Sequence, residues 1–206
     1  MNDQSVRTTG QEPKYRVRAR HTESTITVYQ AYRPGIGGPA ARTGRFPSSW
    51  KRDRMTWIKP SFLWMMYRCG WGTKEGQETV LAVEISRAGF LWALSNACLS
   101  HHVPELHGDQ AAWKRQLRAA PARVQWDPER DLHLNPLPYR SLQLGLAGEA
   151  TAWYADEWIV GIEDVTPLAT EIHARVRAGR LEHAAELLPE ERPYPVDAGV
   201  LSHLGA

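Results

Sequence analysis

Three stretches of the chain alternate between hydrophobic and polar residues with the period of two that is typical of β-strands. They are Thr25–Tyr32 and residues 78–86 and 157–165, and they are rich in β-branched and aromatic side chains. The segments between them are unequal in length and lack the regular strand and helix repeat of a doubly wound fold. The pattern therefore predicts an α+β domain with a mixed or antiparallel sheet core and flanking helices.

Apolar residues spaced for one face of a helix occur between and after these strands. Residues 61–67 follow Pro60, and proline is tolerated in the first turn of a helix. The glycine-rich segment 36–46 is expected to form only a short helical turn that ends at Gly44. Further helices are predicted over residues 88–99, 111–120, 147–156, 166–179 and 181–188.

The segment 126–141, WDPERDLHLNPLPYRS, is dense in proline and aspartate. We expect it to be a long ordered loop that joins short strands at 124–127 and 140–146. Its prolines restrict the backbone, so its polar groups would lose little further entropy on binding a ligand. The loop either recognises a substrate or folds over a sheet edge.

The ends of the chain differ from its middle. Residues 1–13 are polar and lack periodicity, which predicts a flexible tail. We expect one globular domain over residues 14–195 and a C-terminal tail over 196–206. A chain of 206 residues is long enough to bury a substantial core within one domain.

Composition narrows the classes of function. The chain carries 25 Lys and Arg residues against 23 Asp and Glu residues, a formal net charge of +2. This weak charge allows a nucleic-acid partner without requiring one. The two cysteines, Cys69 and Cys98, are far apart in sequence, so neither a disulfide framework nor a zinc site is predicted.

The sequence shows no signal for a membrane or for a common catalytic motif. The N-terminus lacks an apolar signal core, and no run approaches the roughly 18 apolar residues of a membrane-spanning helix. We therefore expect a cytoplasmic protein without membrane contact. The sequence motifs of phosphate loops, serine hydrolases and zinc proteases are missing. The side chains of the adjacent His101 and His102 are expected to point in different directions, so we expect no metal site there.

Residues 54–72, RMTWIKPSFLWMMYRCGWG, concentrate aromatic and basic side chains. Tryptophan combines a large apolar ring with a polar edge, and arginine stacks on aromatic faces. Interleaving them produces a surface that can bind a flat, charged ligand, with Trp57 and Lys59 as substrate-binding candidates. The alternative is that the tryptophans of this chain, nine in all, simply fill the core.

The run TWIKPSFLWMMYR resembles the most recognisable block of a bacterial family, domain-of-unknown-function family 4291. The runs VYQAY, RVQWDPERDLHLNPLPYRS and EWIVGIEDVTPLA are similar to other blocks of that family. The resemblance covers residues 15–195. The family name itself implies no activity.

A weaker resemblance points to ADP-ribosyltransferases. Residues 25–46, a strand followed by a helix, a glycine and Phe46, are similar to the opening of those enzymes. Residues 157–160 followed by 165–167 resemble their late strand that bears a glutamate. The resemblance implies an ADP-ribosyltransferase-like fold, NAD as the substrate, and Glu157 as the catalytic glutamate. The usual histidine or arginine of the first strand falls at Gln30.

The same resemblance implies an NAD site on neighbouring residues. Arg52 or Arg54 would hold the pyrophosphate, and Tyr67 or Trp64 would stack on nicotinamide, with Tyr29 beside them. Alternatives remain open for each position. Glu157 could be a solvent-facing carboxylate at a strand start, and the arginines could form surface salt bridges.

Two functional hypotheses follow. The first is an NAD-dependent ADP-ribosyltransferase that modifies DNA or RNA, because unpaired bases stack on aromatic side chains. The second is a non-catalytic nucleic-acid-binding domain that uses the same arginine and tryptophan surface. Besides Trp57 and Lys59, the substrate-binding candidates lie in the 126–141 segment and are Arg130, His133, Asn135, Tyr139 and Arg140.

Overall fold

The structure, a computed structural model, describes residues 13–206. The predicted flexible tail at 1–13 lies outside the described residues, apart from Pro13. Within the described part, the chain forms an α+β fold with a mixed sheet, an antiparallel sheet and flanking helices. The fold class predicted from the hydrophobic pattern is thus confirmed.

The strands and helices follow one another irregularly along residues 13–206. The strands are β1 Tyr15–Arg16, β2 Arg18–Ala19, β3 Thr25–Tyr32, β4 Thr56–Ile58, β5 Thr79–Ser86, β6 Ala97–Leu99, β7 Ala122–Arg130, β8 Pro136–Leu146, β9 Ile159–Asp164 and β10 Arg192–Pro193. The helices are α1 Pro34–Thr43, α2 Phe62–Cys69, α3 Arg87–Ser95, α4 Pro104–His107, α5 Gln110–Ala119, α6 Glu149–Trp153, α7 Thr166–Arg177, α8 Leu181–Ala185 and α9 Ala198–His203. A π-helical turn, Tyr154–Trp158, connects α6 to β9.

The three strands with the clearest alternation pair with one another. They form an antiparallel sheet in the order β3, β5, β9, with Tyr29 opposite Ala82 and Val83 opposite Ile162. Both faces of β3 and β5 are buried. Val28 and Val83 pack into one core cluster, whereas Tyr29 and Ala82 on the opposite face pack into another. We call this antiparallel sheet the small sheet.

A mixed sheet forms the second layer, which we call the large sheet. Strands β7 and β8 are antiparallel, while β1 pairs with β8 and β6 pairs with β7 in parallel. Strand β4 pairs with the end of β8. A β-bridge joins the two sheets through Tyr29 and Lys59, whose backbones exchange hydrogen bonds of 2.7 and 3.3 Å.

The prediction of a long loop at 126–141 was wrong. Most of that segment belongs to the β7–β8 hairpin, and a short turn at 131–135 connects the strands. The register shifts between Pro128 and Arg130, and Pro136 begins β8, which are positions where a strand tolerates proline. Asp131 closes the turn by accepting the Asn135 backbone N–H at 2.8 Å.

Other boundaries also differ from the predictions. Helix α1 has ten residues instead of one short turn, although it ends at Gly44 with a left-handed backbone as expected. The predicted helix at 88–99 stops at Ser95, since Ala97–Leu99 joins the large sheet beside β7. The strand predicted to begin at Glu157 begins at Ile159.

The hydrophobic core lies between the sheets and their helices. Buried tryptophans such as Trp126 and Trp158 contribute to it, as the core interpretation of the tryptophan content expected. Helix α9 forms within the segment predicted as a C-terminal tail, and the adjacent Leu204 is completely buried. The Trp126 indole donates a hydrogen bond of 2.8 Å to the Leu204 carbonyl. None of the helices within residues 13–206 is long and apolar enough to cross a membrane.

Candidate functional site

A cleft of about 710 Å³ opens where the end of β3 meets β4 and the polar face of the large sheet. Residues 30–36 form one wall, residues 49–57 form another, and Arg68 of α2 contributes to the rim. Gln125 of β7 and Gln143 of β8 lie at its base. We call this site the cationic cleft, for the side chains described next.

Positive side chains converge on this cleft from separate parts of the chain. Its cations are Arg33, Lys51, Arg54, Lys59 and Arg68. Among the described residues that line it, none is Asp or Glu. Because no carboxylate offsets these charges at the lining, the cleft concentrates positive potential and favours an anionic ligand. This concentration contrasts with the near-neutral charge of the whole chain.

The polar base of the cleft comes from paired strands. Gln125 and Gln143 are opposite each other in the β7–β8 register. Their amide nitrogens donate hydrogen bonds of 2.9 and 3.0 Å to the two oxygens of Asp127. Asp127 itself is outside the cleft lining and fixes the two amides from the side. The base is therefore a pre-ordered polar surface.

Lys59 is the buried cation of the cleft, with 5% of its surface exposed. Its Nζ atom lies 3.4 Å from the Trp57 carbonyl oxygen and 5.2 Å from the centre of the Trp64 ring. No carboxylate within residues 13–206 forms an ion pair with it. Burial lowers the pKa of Lys59 to about 7; the Arg68 charge adds to this effect and Asp127 opposes it.

Gln30, predicted as a catalytic residue, lies in the cleft wall but is 4% exposed and fully engaged in structure. Its amide nitrogen donates to the Thr56 hydroxyl at 2.7 Å and to the Trp57 carbonyl at 3.1 Å. Its amide oxygen accepts a hydrogen bond of 2.6 Å from the Tyr154 hydroxyl. Gln30 thus connects β3, β4 and the π-helical turn.

Glu157, the predicted catalytic glutamate, is exposed on the π-helical turn and does not line the cleft. The neighbouring Asp156 binds Arg52 through two hydrogen bonds of 2.6 and 2.8 Å. This pair lowers the pKa of Asp156. Arg52 was predicted to bind a pyrophosphate, whereas here it ties the turn that carries Glu157 to the segment containing Lys51 and Arg54.

Two predicted nicotinamide-stacking residues lie on α2 outside the cleft lining. The Trp64 ring is buried, and its indole nitrogen has no hydrogen-bond partner among the described residues. Tyr67 is 41% exposed, and the Arg130 guanidinium stacks 3.6 Å from its ring centre. Arg130 therefore joins the β7–β8 hairpin to α2. Tyr29 is buried against Phe62, with 5.4 Å between ring centres, and also lies outside the lining.

The remaining predicted substrate residues lie along the hairpin. Arg140 lines a separate cavity of about 480 Å³ and donates to the Trp126 carbonyl at 2.9 Å. The Arg16 guanidinium stacks 4.1 Å from the Tyr139 ring centre. His133 and Asn135 are exposed in the hairpin turn. Arg54 and Arg140, both predicted site residues, therefore line two different cavities.

Of the predicted site residues, the structure brings Gln30, Arg54, Trp57 and Lys59 together in the cationic cleft. The sequence interpretation missed several other members, which are Arg33, Lys51, Arg68, Gln125 and Gln143. One signal for the glutamines was available. They alternate with apolar Val124 and Leu144 along their strands, so they had to share the opposite, polar face.

The comparisons with known proteins agree with one of the two resemblances. A family model described as a domain of unknown function (DUF4291) matches residues 16–194. The chain belongs to this family. The matched region includes every strand from β2 to β9 and therefore the whole cationic cleft. No curated protein matches the sequence. The likeness to ADP-ribosyltransferases stays a prediction.

Residues 13–206 contain no group of three or more His, Cys, Asp or Glu side chains that could hold a metal ion. The two described cysteines are buried and unpaired. Burial raises the pKa of the Cys69 thiol, which disfavours the reactive thiolate form. The chemistry that the cleft offers is therefore that of amines, guanidinium groups, amides and aromatic rings.

Proposed function

We propose that the protein binds NAD in the cationic cleft and transfers ADP-ribose from it to an acceptor, with nucleic acid as the first acceptor to test. The observation that carries the proposal is the convergence of Arg and Lys side chains on a cleft whose described lining contains no carboxylate. The pyrophosphate of NAD is anionic, and guanidinium groups bind phosphate oxygens through paired hydrogen bonds.

The size and the polar groups of the cleft also suit a dinucleotide. Ligand pockets commonly enclose about 300–1,000 Å³, and this cleft encloses about 710 Å³. Trp57, which is partly exposed in the lining, supplies aromatic surface for a base or nicotinamide ring. The amide of Gln77 offers both a donor and an acceptor to a ribose hydroxyl or a carboxamide.

For the transfer step, the proposal assigns Glu157 as the carboxylate. When the glycosidic bond of NAD breaks, nicotinamide leaves with the bonding electron pair and the ribose carbon becomes positively charged. The acceptor then attacks that carbon and releases its proton. A nearby carboxylate stabilises the positive charge. The Arg52–Asp156 pair ties the turn that bears Glu157 to the chain segment between Lys51 and Arg54, which line the cleft. This connection supports the assignment of Glu157.

Two measurements on the wild-type protein test this function. Calorimetry with NAD measures binding, and incubation with NAD plus single-stranded DNA, RNA or protein measures release of nicotinamide and added ADP-ribose by mass spectrometry. The proposal requires both binding and release. Binding without release in any acceptor pool would leave an NAD-binding protein without transfer activity, and absence of binding would refute the proposal entirely.

A second candidate function, binding of single-stranded nucleic acid without catalysis, is favoured by a separate observation. Arg16 stacks on Tyr139 and Arg130 stacks on Tyr67, at 4.1 and 3.6 Å from the ring centres. Such pairs of arginine and aromatic rings contact phosphates and unstacked bases in single-strand binders. Fluorescence anisotropy with labelled oligonucleotides over a salt series tests it. Salt-sensitive binding combined with no NAD turnover would favour this candidate.

A further inference from the structure

Lys59 occupies an unusual position for a lysine. Buried lysines are usually paired with a carboxylate, and unpaired lysines usually extend their amine to water. Lys59 does neither, since it is 5% exposed and has no ion-pair partner among the described residues. Lys59 nevertheless belongs to the lining of the cationic cleft, so the cleft is the route by which a ligand would approach the amine.

The local structure fixes where this amine lies. The Lys59 backbone is held in the bridge to Tyr29, and Pro60 follows it. The Nζ atom lies over the Trp64 ring and within 3.4 Å of the Trp57 carbonyl. A position fixed by a β-bridge is more precise than one on a mobile loop, which is a requirement for chemistry at a single atom.

The charges around the amine disfavour its protonated form. Arg68 of α2 faces it, and Arg33, Lys51 and Arg54 line the same cleft. Asp127 of β7 favours the protonated form. A Cys69 thiolate would act in the same direction, but burial raises the pKa of that thiol and so disfavours its charged form. With burial as the largest cause, the pKa of Lys59 falls to about 7. Near neutral pH a large fraction of the amine is therefore an uncharged nucleophile.

We propose that Lys59 captures the aldehyde of a phosphate-bearing ligand as an imine within the cationic cleft. The amine nitrogen attacks the carbonyl carbon, and the carbonyl oxygen gains a proton to give a carbinolamine. Loss of that hydroxyl with the second amine proton releases water and leaves the carbon–nitrogen double bond, with no change in oxidation state. The guanidinium groups of Arg33, Arg54 and Arg68 supply the phosphate contacts. The inference concerns the same cleft but does not rest on transfer of ADP-ribose.

Pyridoxal 5′-phosphate is a suitable probe, because it carries an aldehyde and a phosphate on one ring. Borohydride reduces its imine to a stable amine by adding hydride, and peptide mapping by mass spectrometry then locates the label. At pH 7 we expect Lys59 to be labelled at least about ten-fold faster than Lys51, the exposed lysine of the same cleft. Labelling spread over exposed lysines, or no label on Lys59, would overturn the proposal.

The pH dependence and a matched probe separate this reaction from general lysine modification. Labelling of Lys59 should level off above about pH 8 because most of its amine is then uncharged, whereas an ordinary lysine gains reactivity up to about pH 10. Pyridoxal without the phosphate should label Lys59 at least about ten-fold more slowly, since the contacts to Arg33, Arg54 and Arg68 are lost. Equal rates would overturn the phosphate requirement.

Two variants complete the test. Lys59→Arg retains a cation but cannot form the imine, so the mapped label should disappear. Lys114→Arg, on the exposed face of α5 outside the cleft, should retain the label. Circular dichroism of both variants checks the fold, and the wild-type mapping stands if Lys59→Arg does not fold. Lys59 labelling in a protein that fails to bind NAD in calorimetry would refute the proposed function and leave this inference intact. NAD binding without Lys59 labelling would refute the imine proposal and leave the proposed NAD-binding function intact.

Discussion

The Tyr154 hydroxyl donates a hydrogen bond of 2.6 Å to the side-chain oxygen of Gln30, within the buried part of the cleft wall. The side-chain nitrogen of Gln30 in turn donates a hydrogen bond of 2.7 Å to the Thr56 hydroxyl. The bond joins the π-helical turn that bears Glu157 to strands from both sheets. Burial raises the pKa of Tyr154, so this tyrosine stays a neutral donor.

We expect Tyr154→Phe to lower the free energy of unfolding by about 1–3 kcal/mol, because the buried oxygen of Gln30 loses its donor. Urea denaturation measures the change. Tyr67→Phe is the matched control on an exposed tyrosine, with an expected change within about 0.5 kcal/mol. Equal effects of the two variants would mean that the Gln30 bond contributes nothing specific.

Glu157→Gln should leave the fold and the NAD affinity nearly unchanged but reduce turnover about a hundred-fold or more. The carboxylate charge matters most when the ribose becomes cationic, so its loss raises the barrier by roughly 3 kcal/mol. Nicotinamide release measures turnover, and calorimetry measures affinity. Glu163→Gln, on the exposed end of β9, is the control and should retain full turnover. Loss of thermal stability in Glu157→Gln would instead assign a structural role.

Arg54→Met should weaken NAD binding about ten-fold, equivalent to about 1.4 kcal/mol, because an exposed guanidinium in the cleft loses its phosphate contact. The remaining affinity should also depend less on salt. Arg115→Met removes an exposed arginine of α5 outside the cleft and should leave the affinity within two-fold. Matching losses in both variants would indicate a general charge effect and not a binding site.

Glu191 predicts a pH dependence of stability. Burial raises its pKa to about 8, and the nearby charge of Glu129 adds to the rise. Two contacts act in the opposite direction: the hydrogen bond of 2.6 Å that Glu191 accepts from the Phe62 backbone N–H, and the charge of Arg18. Between the ordinary pKa of a glutamate and about pH 8, Glu191 is therefore protonated in the folded chain but ionised in the unfolded chain. Stability from this group is present below the unfolded pKa and is lost as the pH rises through the folded pKa.

Glu191→Gln should remove this dependence while its amide oxygen still accepts the Phe62 N–H. Relative to the wild-type protein, we expect the variant to gain about 1–2 kcal/mol in unfolding free energy between pH 5 and pH 8. Urea denaturation at the two pH values measures it. Glu190→Gln, the exposed neighbour, should show no such gain. A difference that is constant with pH would contradict the buried-carboxyl argument.

Helix α1 offers a matched pair of glycines. A Cβ atom at Gly37 would lie 2.5 Å from Cβ of Thr79 on β5, whereas Gly35 has nothing within 4 Å. Gly37→Ala should therefore cost about 1–3 kcal/mol, since backbone must move. Gly35→Ala should be neutral or stabilise the helix by up to about 1 kcal/mol. Thermal unfolding measures both, and similar melting temperatures would show that α1 does not pack tightly on β5.

The same glycine explains one error of sequence interpretation. Glycine weakens an isolated helix, so the segment 36–46 looked too weak for more than one turn. In the folded chain, Gly37 is what lets α1 approach β5 closely, and packing outweighs the lost propensity. The hairpin error has a similar origin. Pro128 and Pro136 argue against strands in sequence, yet each occupies a position where the ladder needs no N–H.

The candidate site was predictable in part. The 54–72 segment drew attention to Arg54, Trp57 and Lys59, because aromatic and basic residues alternate there. Arg33 gave no comparable signal, and Arg68, although it lies in the same segment, was not singled out as a site residue. They reach the cleft because a bridge between Tyr29 and Lys59 joins two sheets whose strands are distant in sequence.

The sequence by itself determined the α+β class and the three strands of the small sheet, because runs rich in β-branched and aromatic residues, separated by unequal segments, are typical of such strands. It also determined the family, through contiguous runs such as TWIKPSFLWMMYR. Only the tertiary structure decided which charges share a cleft and that Lys59 lacks a carboxylate partner among the described residues. Electrostatic environment depends on distances between segments that pair across the fold, and no local pattern in the chain encodes those distances.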